Sequence, residues 1–155
     1  MAGLAIWLAC GASLPARAQD NVRETRQAAQ AALTQGAFGE ATPLLEQLID
    51  WLKTSTAPAV IAELESVHYN LGLCYFLVGQ FPNARKAFDG YLEKYRRGPH
   101  ASQVAVYIGD AFRFEQNLKD ALGAYKKALE TYQYDADWEA DLYACMAKRH
   151  LAQEQ

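Results

Sequence analysis

The 155-residue chain predicts an all-α fold, a solenoid of about three helix–turn–helix repeats followed by one end helix. Two observations carry this. Apolar and small residues recur at helical spacing in paired stretches joined by short turns. One such pair, turn included, then recurs along the chain. Its central copy is Tyr69-Asn70-Leu71-Gly72-Leu73-Cys74-Tyr75-Phe76-Leu77-Val78-Gly79-Gln80-Phe81-Pro82-Asn83-Ala84-Arg85-Lys86-Ala87-Phe88. The run Gly79-Gln80-Phe81-Pro82-Asn83-Ala84 is echoed upstream by Gly36-Ala37-Phe38-Gly39-Glu40-Ala41 and downstream by Gln116-Asn117-Leu118-Lys119-Asp120-Ala121. Gly72 recurs as Gly109 and as Ala29; Phe88 recurs as Tyr125 and as Leu45. From Ala41 to Ala84 is 43 positions and from Ala84 to Ala121 is 37. Self-similarity at such a period marks units that bury their apolar faces by stacking.

Residues 1–18 stand apart. An apolar run from Leu4 to Leu14 contains Trp7 and Cys10, and Pro15 and Ala16-Arg17-Ala18 follow before polarity begins at Gln19-Asp20. This reads as a secretory signal cut after Ala18, too short to span a bilayer, with only the amino group of Met1 in place of a basic start. Leu8-Ala9-Cys10 is close to a lipoprotein signal, but the apolar run continues past the cysteine, so cleavage after Ala18 is the expectation. The mature chain, 19–155, would carry a net charge of about −4 with histidine neutral.

Asp20-Asn21 with Glu24 forms a capping-box start for a first helix that runs to about Gln35, with Ala28, Ala29 and Ala32 on its packing face. After the Gly36–Gly39 turn, Leu44, Leu45, Leu48, Ile49 and Leu52 mark its amphipathic partner, which begins near Gly39 or Glu40 and tolerates Pro43 early on. Lys53-Thr54-Ser55-Thr56-Ala57-Pro58 is a loop and accounts for the longer first step. The central pair is expected from about Ala59 to Val78 and from Pro82 to Tyr95. There Gly72 and Ala84 let two helices pack closely, Tyr75 and Phe88 fill the space around them, and Gly79 turns the chain with positive φ. Arg96-Arg97-Gly98-Pro99-His100 stops the pair. The third pair is Ala101–Glu115 with Leu118–Tyr132, giving repeats at about 22–55, 65–98 and 102–135. Asp135 or Asp137 caps an end helix over 138–153, whose Trp138, Leu142, Cys145 and Met146 would cover the open end of the stack.

These spacings resemble the tetratricopeptide repeat (TPR) family, on Leu71, Gly72, Tyr75, Gly79, Phe81, Ala84 and Phe88. The resemblance implies a right-handed superhelix with a concave groove lined by each repeat's first helix. Position by position, the groove residues it implies are Arg26, Gln30 and Leu33, then Tyr69, Leu73, Phe76 and Leu77, then Val106, Asp110, Arg113 and Phe114. TPR domains that bind chaperone C-termini clamp a carboxylate with Lys, Arg and Asn. Here the matching places hold Arg26, Gln30, Leu73, Val106 and Asp110, which departs from that set. The 37-residue step also resembles the repeats of bacterial envelope TPR proteins, with Arg96 where those commonly have proline. What this implies is a periplasmic, non-catalytic scaffold or adaptor that binds a protein or peptide partner. Two alternatives stay open: the N-terminal portion of a longer repeat protein, and a periplasmic accessory protein binding a small molecule or glycan.

Composition narrows the classes. Fifteen basic against eighteen acidic residues leave no electrostatic footprint for nucleic acid. His68, His100 and His150 are scattered, with no cysteine or acid at metal-ligand spacing, so no metal is expected. Nothing has the arrangement of a nucleophile with its base, nor of a phosphate-cradling loop; the expectation is no catalytic residue and no cofactor. Cys74 and Cys145 outlast signal removal. Cys74 falls where a small buried residue is needed, and the reading is a hydrophobe rather than half of a disulfide.

Overall fold

A computed structural model describes residues 16–132, and within them the backbone forms six α-helices: α1 (Ala16–Thr34), α2 (Phe38–Leu52), α3 (Pro58–Leu77), α4 (Phe81–Lys94), α5 (Ala101–Phe114) and α6 (Leu118–Tyr132). Each packs chiefly on the helices before and after it in sequence, as a stack of hairpins requires. The bounds of α3 to α6 fall within a residue of those predicted. The end helix expected over 138–153, and with it Cys145, lies outside the described residues, as does most of the proposed signal.

The first helix differs from expectation. It starts at Ala16, so Asp20, Asn21 and Glu24 lie inside it and Asn21 caps nothing. Asp20 instead pairs with Arg23 one turn on, at 3.1 Å. Val22 is the first of its described side chains to lie in the core, and a cut after Ala18 would shorten α1 and leave Val22 in place. Pro43 sits in the second turn of α2, later than a helix start at Gly39 or Glu40 would put it. Pro58 and Pro82 open α3 and α4, where a missing N–H costs nothing.

Three hairpin turns repeat one geometry. Gly36 and Gly79 take φ of +73° and +78°, and the third turn places Gln116 at φ 63°. That region costs an L-residue with a Cβ roughly 1–2 kcal/mol; the repeat imposes the turn even where the sequence lacks glycine.

Small residues act differently from the close helix approach expected of them. A Cβ on Gly72 would come within 3.0 Å of the Phe88 ring, and one on Gly109 within 3.0 Å of the Tyr125 ring. Both rings are fully buried. Gly72 therefore makes room for an aromatic ring from its partner helix, not for that helix's backbone. In the first repeat the matching pair is Ala29 and Leu45, both buried in one cluster, where a smaller branched side chain leaves room for a methyl. The core has two parts. Val22, Ala29, Leu45, Leu48, Leu64, Leu71 and Cys74 belong to one; Ala84, Phe88, Tyr91, Val104, Ala121 and Tyr125 belong to the other. Tyr75 packs against both. Cys74 is fully buried with a free thiol, and burial pushes its pKa up to about 11, so it is an inert core side chain.

Candidate partner-binding surface

The first helices of the hairpins, α1, α3 and α5, stand side by side and are tied through their side chains. Arg26 on α1 grips Glu63 on α3 in a two-pronged ion pair, Nε to Oε1 at 2.5 Å and Nη2 to Oε2 at 2.9 Å. That bond to Glu63 holds the Arg26 pKa above its ordinary value. Tyr69 on α3 donates to Gln103 Oε1 on α5 at 2.7 Å and stacks on His100, centroids 4.0 Å apart. Between α1 and α3 lies an open hollow of about 320 Å³, floored by Leu33, Leu73, Cys74 and Leu77, with Gln30, Thr34, Phe38 and Asn70 around it.

Beside this hollow, where α3 and α5 end, three phenylalanines meet. Phe76 lies 5.6 Å from both Phe81 and Phe114, ring centre to ring centre, and Phe81 stacks on Phe114 at 5.5 Å. Phe76 also contacts Tyr107 at 5.3 Å, and the Arg113 guanidinium sits 4.6 Å above the Phe114 ring. Half of Phe114 and 54% of Leu77 remain exposed. Large apolar side chains left in water over adjoining hairpins are the feature by which binding surfaces are recognised. Leu77 lines the hollow and follows Phe76 in α3, and Leu73, which also lines the hollow, packs against the same core cluster as Phe76, so the two apolar features adjoin along α3.

The predicted groove residues divide along these lines. Gln30, Leu73 and Leu77 line the hollow, and Phe76 and Phe114 belong to the phenylalanine group. Tyr69 is half-buried at the α3–α5 seam and Arg26 is committed to Glu63. Val106 and Asp110 are corrections: at 6% and 4% exposure they belong to the interior. Asp110 turns inward because Tyr125 Oη donates to its Oδ1 at 2.7 Å, and Arg113 Nε lies 3.7 Å from that oxygen. Burial, with Asp110 adding to it, pushes the Tyr125 pKa upward. Asp110 thus serves the fold's interior, while Arg113, its side chain 36% exposed, leans between Asp110 and the Phe114 ring. Phe81 and Asn70 went unselected. Phe81 was legible, since it opens a second helix as Phe38 and Leu118 do; Asn70 gave no signal beyond its neighbour Tyr69.

Among the described residues no group of histidines, cysteines and acids could hold a metal, and no helix is long and apolar enough to cross a membrane.

The described architecture is an all-α solenoid of helical hairpins, and solved structures share this fold. The chain is similar to the TPR2B domain of yeast Sti1, solved as a complex with pHsp70, with a TM-score of 0.64, 16% identity, and coverage of 86% of this chain and 97% of that one. It is 33% identical over 79 residues to mouse Superkiller complex protein 3; the match takes in 49% of this chain, and the chain spans 5% of the length of that protein. No family model matches.

Proposed function

We propose that this protein is a non-catalytic interaction module, exported to the bacterial periplasm, that holds a partner's segment against the wall of α1, α3 and α5 and so serves as a scaffold or adaptor in the cell envelope. One observation carries the binding part: the apolar hollow between α1 and α3 and the partly exposed Phe76, Phe81 and Phe114 group both lie along α3, with Leu77 and Phe114 half-exposed. Burying these side chains in a complex recovers roughly 25 cal/mol for each Å² removed from water. The fold is one that, in yeast Sti1, has been solved with pHsp70, which supports a binding role of the same general kind. The cationic set that would hold a chain-terminal carboxylate is lacking, because Arg26 is closed onto Glu63, so the partner class is different. Export rests on Leu4–Ala18 of the sequence, and the envelope setting on the repeat spacing.

The experiment is site-directed photocrosslinking in cells of the native host. A benzophenone amino acid at Leu77 or Phe114 should trap a discrete partner band in the envelope fraction, with the chain beginning at Gln19 by mass spectrometry. The same group at Lys127, on the α4–α6 side, should trap none. Crosslinks from Lys127 alone, or a chain retained in the cytoplasm with Met1 intact, would contradict the proposal.

A further inference from the structure

A second hollow lies away from the α1, α3 and α5 wall, between the second helices α4 and α6 and over α5. We infer that it is a small-molecule site for a free amino acid with a large apolar side chain, whose ammonium group lies toward Asp89 and Glu93 of α4 and whose carboxylate lies toward Lys127 of α6 and Arg96. This does not rest on the interaction role proposed above, since the two hollows share no lining residue.

Two matching seams of the same molecule differ at this place. Where α2 and α4 meet over α3, the charged groups are already satisfied. Glu46 accepts a hydrogen bond from the Tyr75 hydroxyl, and Asp50 accepts one from Lys53 at 2.8 Å. The space beside them holds the half-buried His68 ring, 5.7 Å from the Tyr95 ring and with its Nε2 3.4 Å from Lys94 Nζ. One repeat on, each of these is undone. Ala105 stands in the place of His68, so a methyl group replaces the ring. Phe112 stands in the place of Tyr75 and has no hydroxyl to offer Asp89, the counterpart of Glu46. Glu93 and Arg96 hold the places of Asp50 and Lys53, yet among the described residues the side chains of Asp89, Glu93, Arg96 and Lys127 make no hydrogen bond or ion pair. The walls desolvate Asp89 and hold its pKa above the ordinary carboxylate value, with Lys127 and Arg85 opposing and Glu93 adding to the shift. An arriving ammonium group relieves that.

The opened space is about 520 Å³, within the range of small-molecule clefts. Its floor is apolar, from Leu92, Ala105, Ile108 and Ala128. A simple cation is attracted by Asp89 and Glu93 but repelled by Lys127 and Arg96, and a simple anion meets the reverse. A zwitterion gains at both walls, and an apolar side chain on it fills the floor. A phosphoethanolamine headgroup carries the same two charges, but its polar body would leave the floor unfilled.

The test is methyl NMR of the full chain, following Leu92, Ile108 and Ala128, with Leu33 and Leu73 as remote reporters of the fold. Four probes are titrated at pH 7: L-phenylalanine, phenethylamine, 3-phenylpropionate and glycerophosphoethanolamine. L-phenylalanine should shift the three site residues saturably, with a dissociation constant of about 1 mM or tighter. The two singly charged analogues should bind at least about tenfold more weakly, and glycerophosphoethanolamine should shift nothing. Asp89→Asn and Arg96→Gln should each weaken L-phenylalanine by at least about threefold with the remote leucines unmoved. Ala105→His, which rebuilds the filled seam, should abolish binding; if it disturbs the remote leucines, Asp89→Asn and Arg96→Gln decide. Equal affinity for a singly charged analogue, no effect of either charge variant, or saturation by glycerophosphoethanolamine with L-phenylalanine inert would each overturn the inference. L-phenylalanine inert while Leu77 and Phe114 still crosslink a partner would end this site and leave the interaction role standing. Crosslinks lost with L-phenylalanine still bound would do the opposite.

Discussion

Gly72→Ala is a one-carbon test of how the hairpins pack. The added Cβ would lie within 3.0 Å of the Phe88 ring, which is fully buried and so has nowhere to swing. Overpacking of a core by a methyl group costs about 1–3 kcal/mol. Alanine in a helix interior is favoured over glycine by about 0.8–1 kcal/mol. With two contacts to the Phe88 ring under 3.0 Å the clash sits toward the upper end of its range, and a net loss of up to about 2 kcal/mol is expected. Gly90 on α4 is the control: an added Cβ meets nothing within 4 Å, so Gly90→Ala keeps the propensity term alone and should stabilise by about 0.5–1 kcal/mol. The same chemical change thus has opposite signs at two sites. The first repeat also supplies a rescue, since Ala29 and Leu45 hold the positions of Gly72 and Phe88. Phe88→Leu added to Gly72→Ala should restore at least about 1 kcal/mol relative to the sum of the single changes. Urea unfolding monitored by circular dichroism measures wild type, the three single variants and the double variant. Equal stabilisation by Gly72→Ala and Gly90→Ala, or strict additivity in the double variant, would refute this account of the packing.

Gln116→Gly should stabilise by about 1 kcal/mol in the same assay, since its φ of 63° then carries no Cβ penalty; a loss would mean the third turn differs from the other two. Burial, with Lys94 Nζ 3.4 Å from its Nε2, holds the His68 pKa down to about 4 from 6.5. The unfolded chain therefore binds the proton more readily, and stability should fall as pH drops below 6.5 toward 4. The loss should be of order 2 kcal/mol between about pH 7 and pH 5, and His68→Phe should flatten the urea midpoint over that window. Ala84, fully buried, should lose about 1–3 kcal/mol as Ala84→Leu, while the exposed Lys86 should lose under about 0.5 kcal/mol as Lys86→Leu; equal shifts in melting temperature would mean the helix register is wrong.

Helix order, turns and core positions were legible because one physical constraint writes all of them. Each repeat must present small and large residues at fixed places for the next to stack, so Gly72 and Gly109, or Phe88 and Tyr125, announce themselves by recurrence. What recurrence does not show is which group fills the gap beside a glycine; only the packed helices show that it is a ring. The start of α1 was misplaced because Asp20, Asn21 and Glu24 carry a cap-like pattern while the helix continues upstream of them. The site was legible in part. Leu73, Phe76, Leu77 and Phe114 are apolar on a helix flank, and a sequence says that much. Asp110 was misread because its inward turn depends on Tyr125, fifteen residues on and on another helix. Arg26 was offered to a ligand because its partner Glu63 lies 37 residues away, and no local pattern joins them.

The claim that a partner lies along the α1, α3 and α5 wall is tested most directly by one titration. Once crosslinking has identified the partner segment, its dissociation constant is measured by calorimetry against wild type, Leu77→Ala, Phe114→Ala and Lys127→Ala. Leu77 and Phe114 are half-exposed, so their loss should leave the fold intact and weaken binding by at least about tenfold, or roughly 1.4 kcal/mol, while Lys127→Ala leaves it unchanged. Wild-type affinity in both wall variants, with binding lost in Lys127→Ala, would place the partner on the α4–α6 side and contradict the account.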